Sequence, residues 1–304
     1  MILKNRFILR LLTTASFLLI MQLSTSFKMG VKYDPNIVRI INTNYGEMDF
    51  CTIRMSRKDD KIRVKYFATM LNNQAVQTRF QRWKPNKNLI VACAGTYFSK
   101  PSEGGGPVGL CVDEGVIVNR NSDLSFHGLV VVYASGGIQV VNLKKSIFKT
   151  IVNGVVTEYD IKNEYGKNLF INWAKSSRAT VFQTNLLAEN NMNLVSPTAL
   201  SSSKTPLAAR RVLIVTKGLN GVEYHSIVYT RKNVSLYDFT NNLLAFMKSS
   251  QQMVEVKFIL NLDTGAQNWI ETYDSNGGLI KDGECLYSHV TENPVNLLVY
   301  SFEQ

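Results

Sequence analysis

Between Val256 and Asp263 an apolar strand pattern runs straight into a carboxylate, and no other stretch constrains the chain as much. In VKFILNLDTGAQNWIETYDSNGG, Val256, Phe258, Leu260 and Leu262 alternate with Lys257, Ile259, Asn261 and Asp263. That period of two predicts a strand buried on at least one face. Thr264 and Gly265 follow, so the chain is free to turn sharply just past the carboxylate. A strand holds such a group in place while the loop beside it leaves room for a substrate. The same Asp-Thr-Gly also serves an ordinary turn.

The stretch VACAGTYFSKPSEGGGPVGL, from Val91 to Leu110, has the same design. An apolar strand enters Gly95 and Thr96, then Tyr97 and Phe98, and Gly104, Gly105 and Gly106 precede the next strand. Two strand ends of this kind facing one another would frame a cleft with the glycine segment as a flap. The alternative is a plain flexible connection. The spacing fits neither GxGxxG nor a phosphate-binding P-loop, so no nucleotide site is expected.

Most of the chain reads as short strands rich in Val, Ile and aromatics: 37–41, 48–55, 62–66, 89–94, 109–112, 129–133, 138–143, 212–216 and 223–229. Helices are expected at 73–83 and 235–247. In the second, Ser235 with Asp238 resembles a capping box, and Leu236, Phe239, Leu243, Leu244 and Met247 share one face. The class this implies is α+β: a strand-rich mixed sheet with a few helices packed on it and the site at strand ends.

Residues 1–26 read as an export signal, with Lys4, Arg6 and Arg10 ahead of the apolar run FLLIM at Phe17–Met21 and small residues at Ser24 and Ser26; the alternative is an uncleaved membrane anchor, against which the run is short and interrupted by Thr13, Thr14 and Ser16. Residues 27–304 then form one domain, expected to be secreted or periplasmic. No later stretch is apolar enough to span a bilayer, so no stable membrane insertion of the mature chain is expected. Losing those three cations with the signal lowers the formal net charge from +11 to +8. The remaining Lys and Arg are scattered, without the continuous basic tract of a nucleic-acid surface. Cys51, Cys93, Cys111 and Cys285 have no CxxC spacing, which argues against zinc, and Cys93 and Cys111 lie in apolar runs that suit buried free thiols.

Taken together, these segments resemble the phosphodiester glycosidase family. Ala94–Phe98 stand where the family has an NGGFF-like motif, and Pro107–Leu110 match its PxGL segment. Gln183–Leu187 resemble QTGPLL, Arg210–Ile214 resemble RTAIG, Asn233–Phe239 resemble GVSLYELA, and Asn261–Gln267 resemble NLDGGGS. Departures fall at Ala94, Thr96, Thr264, Ala266 and Gln267.

The resemblance implies an exported hydrolase of sugar phosphodiesters, acting on the bond between phosphate and a sugar such as N-acetylglucosamine. It assigns Asp263 and Arg210 to catalysis and Gly95, Thr96, Tyr97, Thr264 and Gly265 to substrate binding. The chemistry of the residues agrees with this. Cleavage at an anomeric carbon builds positive charge that a carboxylate stabilises, and an arginine suits a departing phosphate. The partner is then a carbohydrate or sugar phosphate, with no cofactor, metal or nucleic acid. The departures leave a second expectation, a catalytically inactive glycan-binding protein on the same scaffold.

Overall fold

The computed structural model describes residues 33–68, 75–98, 106–196, 207–249, 253–265, 268–280, 288–289 and 294–303. The expected export signal lies outside them, as do Gly104, Gly105, Ala266, Gln267 and Cys285.

Among the described residues every strand pairing is antiparallel, and the strands divide among several sheets rather than one. The largest has seven strands. In spatial order these are β1 (Val38–Tyr45), β2 (Met48–Ser56), β15 (Glu223–Val234), β14 (Ala208–Gly218), β16 (Met253–Leu262), β12 (Leu186–Glu189) and β13 (Met192–Asn193). A five-stranded sheet runs β18 (Ser288–His289), β17 (Trp269–Thr272), β4 (Asn88–Cys93), β19 (Leu297–Phe302) and β3 (Ile62–Phe67). A second runs β6 (Val116–Asn119), β5 (Cys111–Asp113), β11 (Thr180–Thr184), β7 (Gly128–Val132) and β8 (Ile138–Asn142). The hairpin of β9 (Phe148–Val152) and β10 (Val155–Tyr159) stands apart as a pair. The strand-rich α+β class expected from the sequence is the class the chain adopts.

The three large sheets turn their inner faces to one another. Ile53, Leu213, Leu260 and Leu262 of the first pack with Val64, Val91, Cys93 and Leu298 of the second and with Cys111, Val130 and Phe182 of the third. Each outer face is covered by a helix. The helix α1 (Val76–Trp83) sets Phe80 against Trp269 and Val299. The helix α2 (Glu164–Ser176) packs Phe170, Ile171 and Ala174 over Val112, Val131 and Val181. The helix α3 (Leu236–Ser249) lays Phe239, Leu243 and Met247 over Val212, Val228 and Ile259. Burial on both faces explains why β7 reads as the unbroken apolar run GLVVV and not as an alternation.

Helix α3 starts as expected: the Ser235 hydroxyl accepts from the Asp238 backbone N–H at 3.0 Å and donates to the Asp238 carboxylate at 2.7 Å. The helix α2 was not expected from the sequence. Asn163 caps it by accepting from Gly166 N–H, while exposed Tyr165 and Leu169 blur its apolar period. Cys93 and Cys111 are buried free thiols, as expected, and Cys51 is disulfide-bonded. Among the described residues no helix is long and apolar enough to cross a membrane.

Candidate functional site

Strand β16 ends at Leu262, and the next residue joins two sheets. The backbone N–H of Asp263 donates to Gly95 O at 2.8 Å, so the ends of β16 and β4 meet directly. Asn296 secures the β4 side, accepting from Gly95 N–H at 2.8 Å and donating to Thr96 O at 2.9 Å. Thr96, wholly buried, donates its hydroxyl to Gln183 O, and Thr184 donates to Asn261 O. Three sheets are therefore pinned at one point through Gly95, Gln183 and Asn261.

Gly95 is required there for space. A Cβ on it would lie 2.6 Å from the Tyr66 ring and 2.8 Å from the Asn296 carboxamide oxygen, closer than real contacts allow. Gln183 acts as a second knot, accepting from Leu110 and Asp123 N–H and donating to Asp123 and Phe126 carbonyls. Neither Asn296 nor Gln183 was singled out as a site residue from the sequence. Gln183 was visible as a polar residue within the apolar run TVFQT; Asn296 carries no local pattern that would have found it.

The two faces of the seven-stranded sheet differ sharply at this end. In the β14–β16 ladder Val212 lies across from Asn261 and Arg211 across from Leu262. Facing residues share a side of the sheet. Val212 belongs to the core under α3 and Leu262 to the central core, so Asn261 faces α3 and Arg211 faces inward.

Arg211 is fully buried. It donates to Asp263 O at 3.2 Å, Trp269 O at 3.1 Å and Asn268 Oδ1 at 2.6 Å, and its guanidinium lies 5.1 Å from the Tyr229 ring centre. Arg210 is on the α3 side, where its Nε donates to Val234 O at 2.9 Å, one residue before the Ser235 cap.

Tyr97, Asn261 and Arg210 come together on that α3 side, while the Asp263 carboxylate at the strand end acts on Tyr97 and on the inward Arg211. Asn261 donates its amide N–H to the Tyr97 hydroxyl. Its Oδ1 is buried with no hydrogen-bond partner among the described residues. Turning the amide over would exchange the orphaned atom, not remove it. The Tyr97 phenol is pushed up to about 12, first by burial and then by the charge of Asp263, while Arg210 and the Asn261 amide oppose the rise. Burial also raises the Asp263 carboxyl above its ordinary value, against the Gly265 N–H, the Arg211 charge and the Thr264 N–H. Burial lowers the Arg210 guanidinium, with Tyr97 opposing.

The remaining sequence-expected residues serve the turn. Asp263 Oδ1 accepts from Gly265 N–H at 2.9 Å, and the Thr264 hydroxyl donates to Ala209 O at 2.7 Å. The segment that follows Phe98 is closed at its base by the Phe98–Pro107 bridge and by Val108 N–H donating to Tyr97 O at 2.9 Å. Of the triple glycine only Gly106 is among the described residues.

Two cavities lie elsewhere, one of about 500 Å³ beside Arg39, Arg54 and Tyr224 and one of about 280 Å³ beside Lys65, Glu114 and Arg178. Among the described residues no group of three or more His, Cys, Asp or Glu side chains is placed to hold a metal ion. His225 is fully buried between Glu223 and Tyr300.

No family model matches the chain, and neither does any curated protein. Among solved structures it is similar to a hypothetical protein from Synechocystis, at 12% identity and a TM-score of 0.48 over 88% of this chain. It spans 62% of that protein's length. It is also similar to the catalytic domain of zebrafish N-acetylglucosamine-1-phosphodiester alpha-N-acetylglucosaminidase, auto-inhibited by its pro-peptide, at 11% identity and a TM-score of 0.47. That match covers 88% of this chain and 82% of the zebrafish domain. Both likenesses are of fold only.

Proposed function

We propose that the chain is an exported hydrolase that cleaves the bond between a sugar's anomeric carbon and a phosphodiester. One observation carries the reading: Tyr97 bonds Asn261 and feels the charges of both Asp263 and Arg210, so three separate segments meet at one strand end, and Asn261 keeps a buried polar atom without a partner among the described residues. Buried polar groups are paired in nearly all proteins, so an orphan beside a carboxylate and an arginine suits a site completed by a ligand.

In this mechanism Asp263, ionised, attacks or shields the anomeric carbon as the bond to the phosphate oxygen breaks and its electrons leave with the phosphate. Arg210 holds the departing anion by charge-assisted hydrogen bonds, and the nearby N-terminus of α3 adds its positive dipole. Water then completes hydrolysis, giving the free sugar and a phosphomonoester. Tyr97 and Gly265 border the sugar; Gly95, Thr96 and Thr264 hold the strand ends on which the pair is mounted. The disulfide at Cys51 supports an oxidising, exported setting, as does the basic and apolar head of the sequence.

The second reading is a glycan-binding protein without turnover. The Asp263 carboxylate's bond to Gly265 N–H favours it, since that bond is what a turn residue makes. Incubating the protein with a panel of sugar phosphodiesters separates the two. Release of phosphomonoester, lost in Asp263→Asn, supports the hydrolase; saturable binding with no release in either protein supports the second reading.

A further inference from the structure

The hairpin β9–β10 is buried only at its base. Phe148 and Tyr159 pack there against α2, with the Phe148 ring 4.9 Å from Phe170 and 4.7 Å from Trp173. Toward the tip the surface turns apolar and open: Ile151 is 70% exposed, Val152 37%, Val155 65% and Val156 61%. On α2, which the base packs against, Tyr165 and Leu169 are exposed as well. Asn153 and Gly154, both with positive φ, close the tip as a tight two-residue turn.

Register decides what such a tip can meet. Ile151 pairs with Val156 and Val152 with Val155, and successive pairs point to opposite faces. The tip is therefore apolar all round. A strand that docks on another protein needs one apolar face and leaves the other polar for solvent. Apolar side chains on both faces match a medium that surrounds the tip, such as a lipid interface. The outer edges of β9 and β10 carry no further strand among the described residues, so their backbone groups need water or headgroups and limit the depth reached.

Charge selects the kind of lipid. From 144 to 178, the stretch carrying the hairpin and α2, there are seven cationic residues and three acidic ones, a net charge of +4. Lys144, Lys145, Lys162, Lys175 and Arg178 among them are exposed. We propose that the β9–β10 hairpin is a peripheral membrane-binding element that seats its tip in the headgroup region of an anionic lipid surface, without spanning it. This does not depend on what the Asp263 site does.

The full chain is to be sedimented with vesicles of phosphatidylcholine and with vesicles in which a quarter of the lipid is phosphatidylglycerol. It should sediment with the anionic vesicles, and the double substitution Ile151→Ser, Val156→Ser should lower that partitioning about tenfold or more, because the tip loses most of one apolar face. Both proteins carry the same N-terminal segment, so the difference reads the hairpin alone. In Val152→Trp the added indole emission should shift to the blue on anionic vesicles. Equal sedimentation of parent and double variant, or an added emission that vesicles leave unchanged, overturns the proposal. So does a parent that is dimeric in sedimentation equilibrium, with a monomeric double variant and neither binding vesicles, for then the tip meets a second copy. Binding to phosphatidylcholine as strong as to the anionic vesicles overturns the selectivity for charge.

Discussion

Arg210 and Arg211 are adjacent in sequence and lie on opposite faces of the same strand. Arg211 faces the central core, where three carbonyl oxygens and the Tyr229 ring surround its guanidinium. Arg210 faces α3, where its Nε reaches Val234 O and its charge acts on the Tyr97 phenol near Asp263. The inward arginine is committed to acceptors of the fold itself, two backbone carbonyls and the Asn268 amide oxygen. Its neighbour is placed by the same strand among groups that suit a ligand. One residue of register separates a fastening from a binding group, and neither the residue type nor its burial alone tells the two apart.

The largest effect expected is on turnover. Asp263→Asn keeps the shape and still accepts from Gly265 N–H, but loses the negative charge, and kcat/KM for a sugar phosphodiester should fall by about three powers of ten or more. Parallel rate and melting measurements check this: a variant that melts early and keeps its specific activity would place Asp263 with the fastenings.

Next in size is the inward arginine. Arg211→Met would leave the Asp263 carbonyl and the Asn268 amide oxygen without the donor they now have in a dry core, with Trp269 O keeping only Ala94 N–H, and a loss of about 3 kcal/mol is expected. Chemical denaturation reads it, and a midpoint close to the parent's would break the contrast between the two faces.

Arg210→Ala should lower turnover about a hundredfold and cost less stability than Arg211→Met, since its Nε bond to Val234 O is worth only about 1 kcal/mol. If Arg211→Met instead lost activity at intact stability and Arg210→Ala lost neither, the roles would be reversed.

The smallest effect concerns pH. Burial raises the folded-state pKa of Asp263, so its ionised form is disfavoured by folding. The group's stabilising contribution is complete below the ordinary carboxylate value of about 4 and is lost as pH rises through the folded-state value. Asp263→Asn carries no such dependence. It should melt slightly above the parent at neutral pH, with the gap closing on acidification. A parent that melts higher at neutral pH would show that the fold favours the carboxylate for its turn.

Much of the framework was legible because local chemistry agreed with the outcome. The capped start of α3 and the alternating strand of β16 each carry their own pattern, and both ends of the Gly95–Asp263 junction were marked by strands stopping at Gly or Asp. The rest depended on partners far along the chain. The helix α2 buries Gly166, Phe170, Ile171 and Ala174, while Tyr165 and Leu169 stay exposed, so its apolar stripe is narrow. The strands β6, β9 to β13 and β17 to β19 were not expected. LLVYSF of β19 is buried throughout and lacks the alternation that identifies a half-buried strand. Asn296 reaches Gly95 across 201 residues, and no spacing rule spans such an interval.

The position of β19 bears on how the protein comes into being. This late strand lies between β4 and β3, two of the earliest, with Ile62 opposite Phe302 and Val91 opposite Tyr300. Until residue 302 has been supplied, that sheet has a gap between β4 and β3 and the shared core has one wall open. Partly synthesised chains therefore expose long unpaired strand edges. Folding dominated by such distant pairings is slow. A chain that stops short of β19 therefore carries bare strand edges, the kind of surface on which unfolded chains pair wrongly and aggregate.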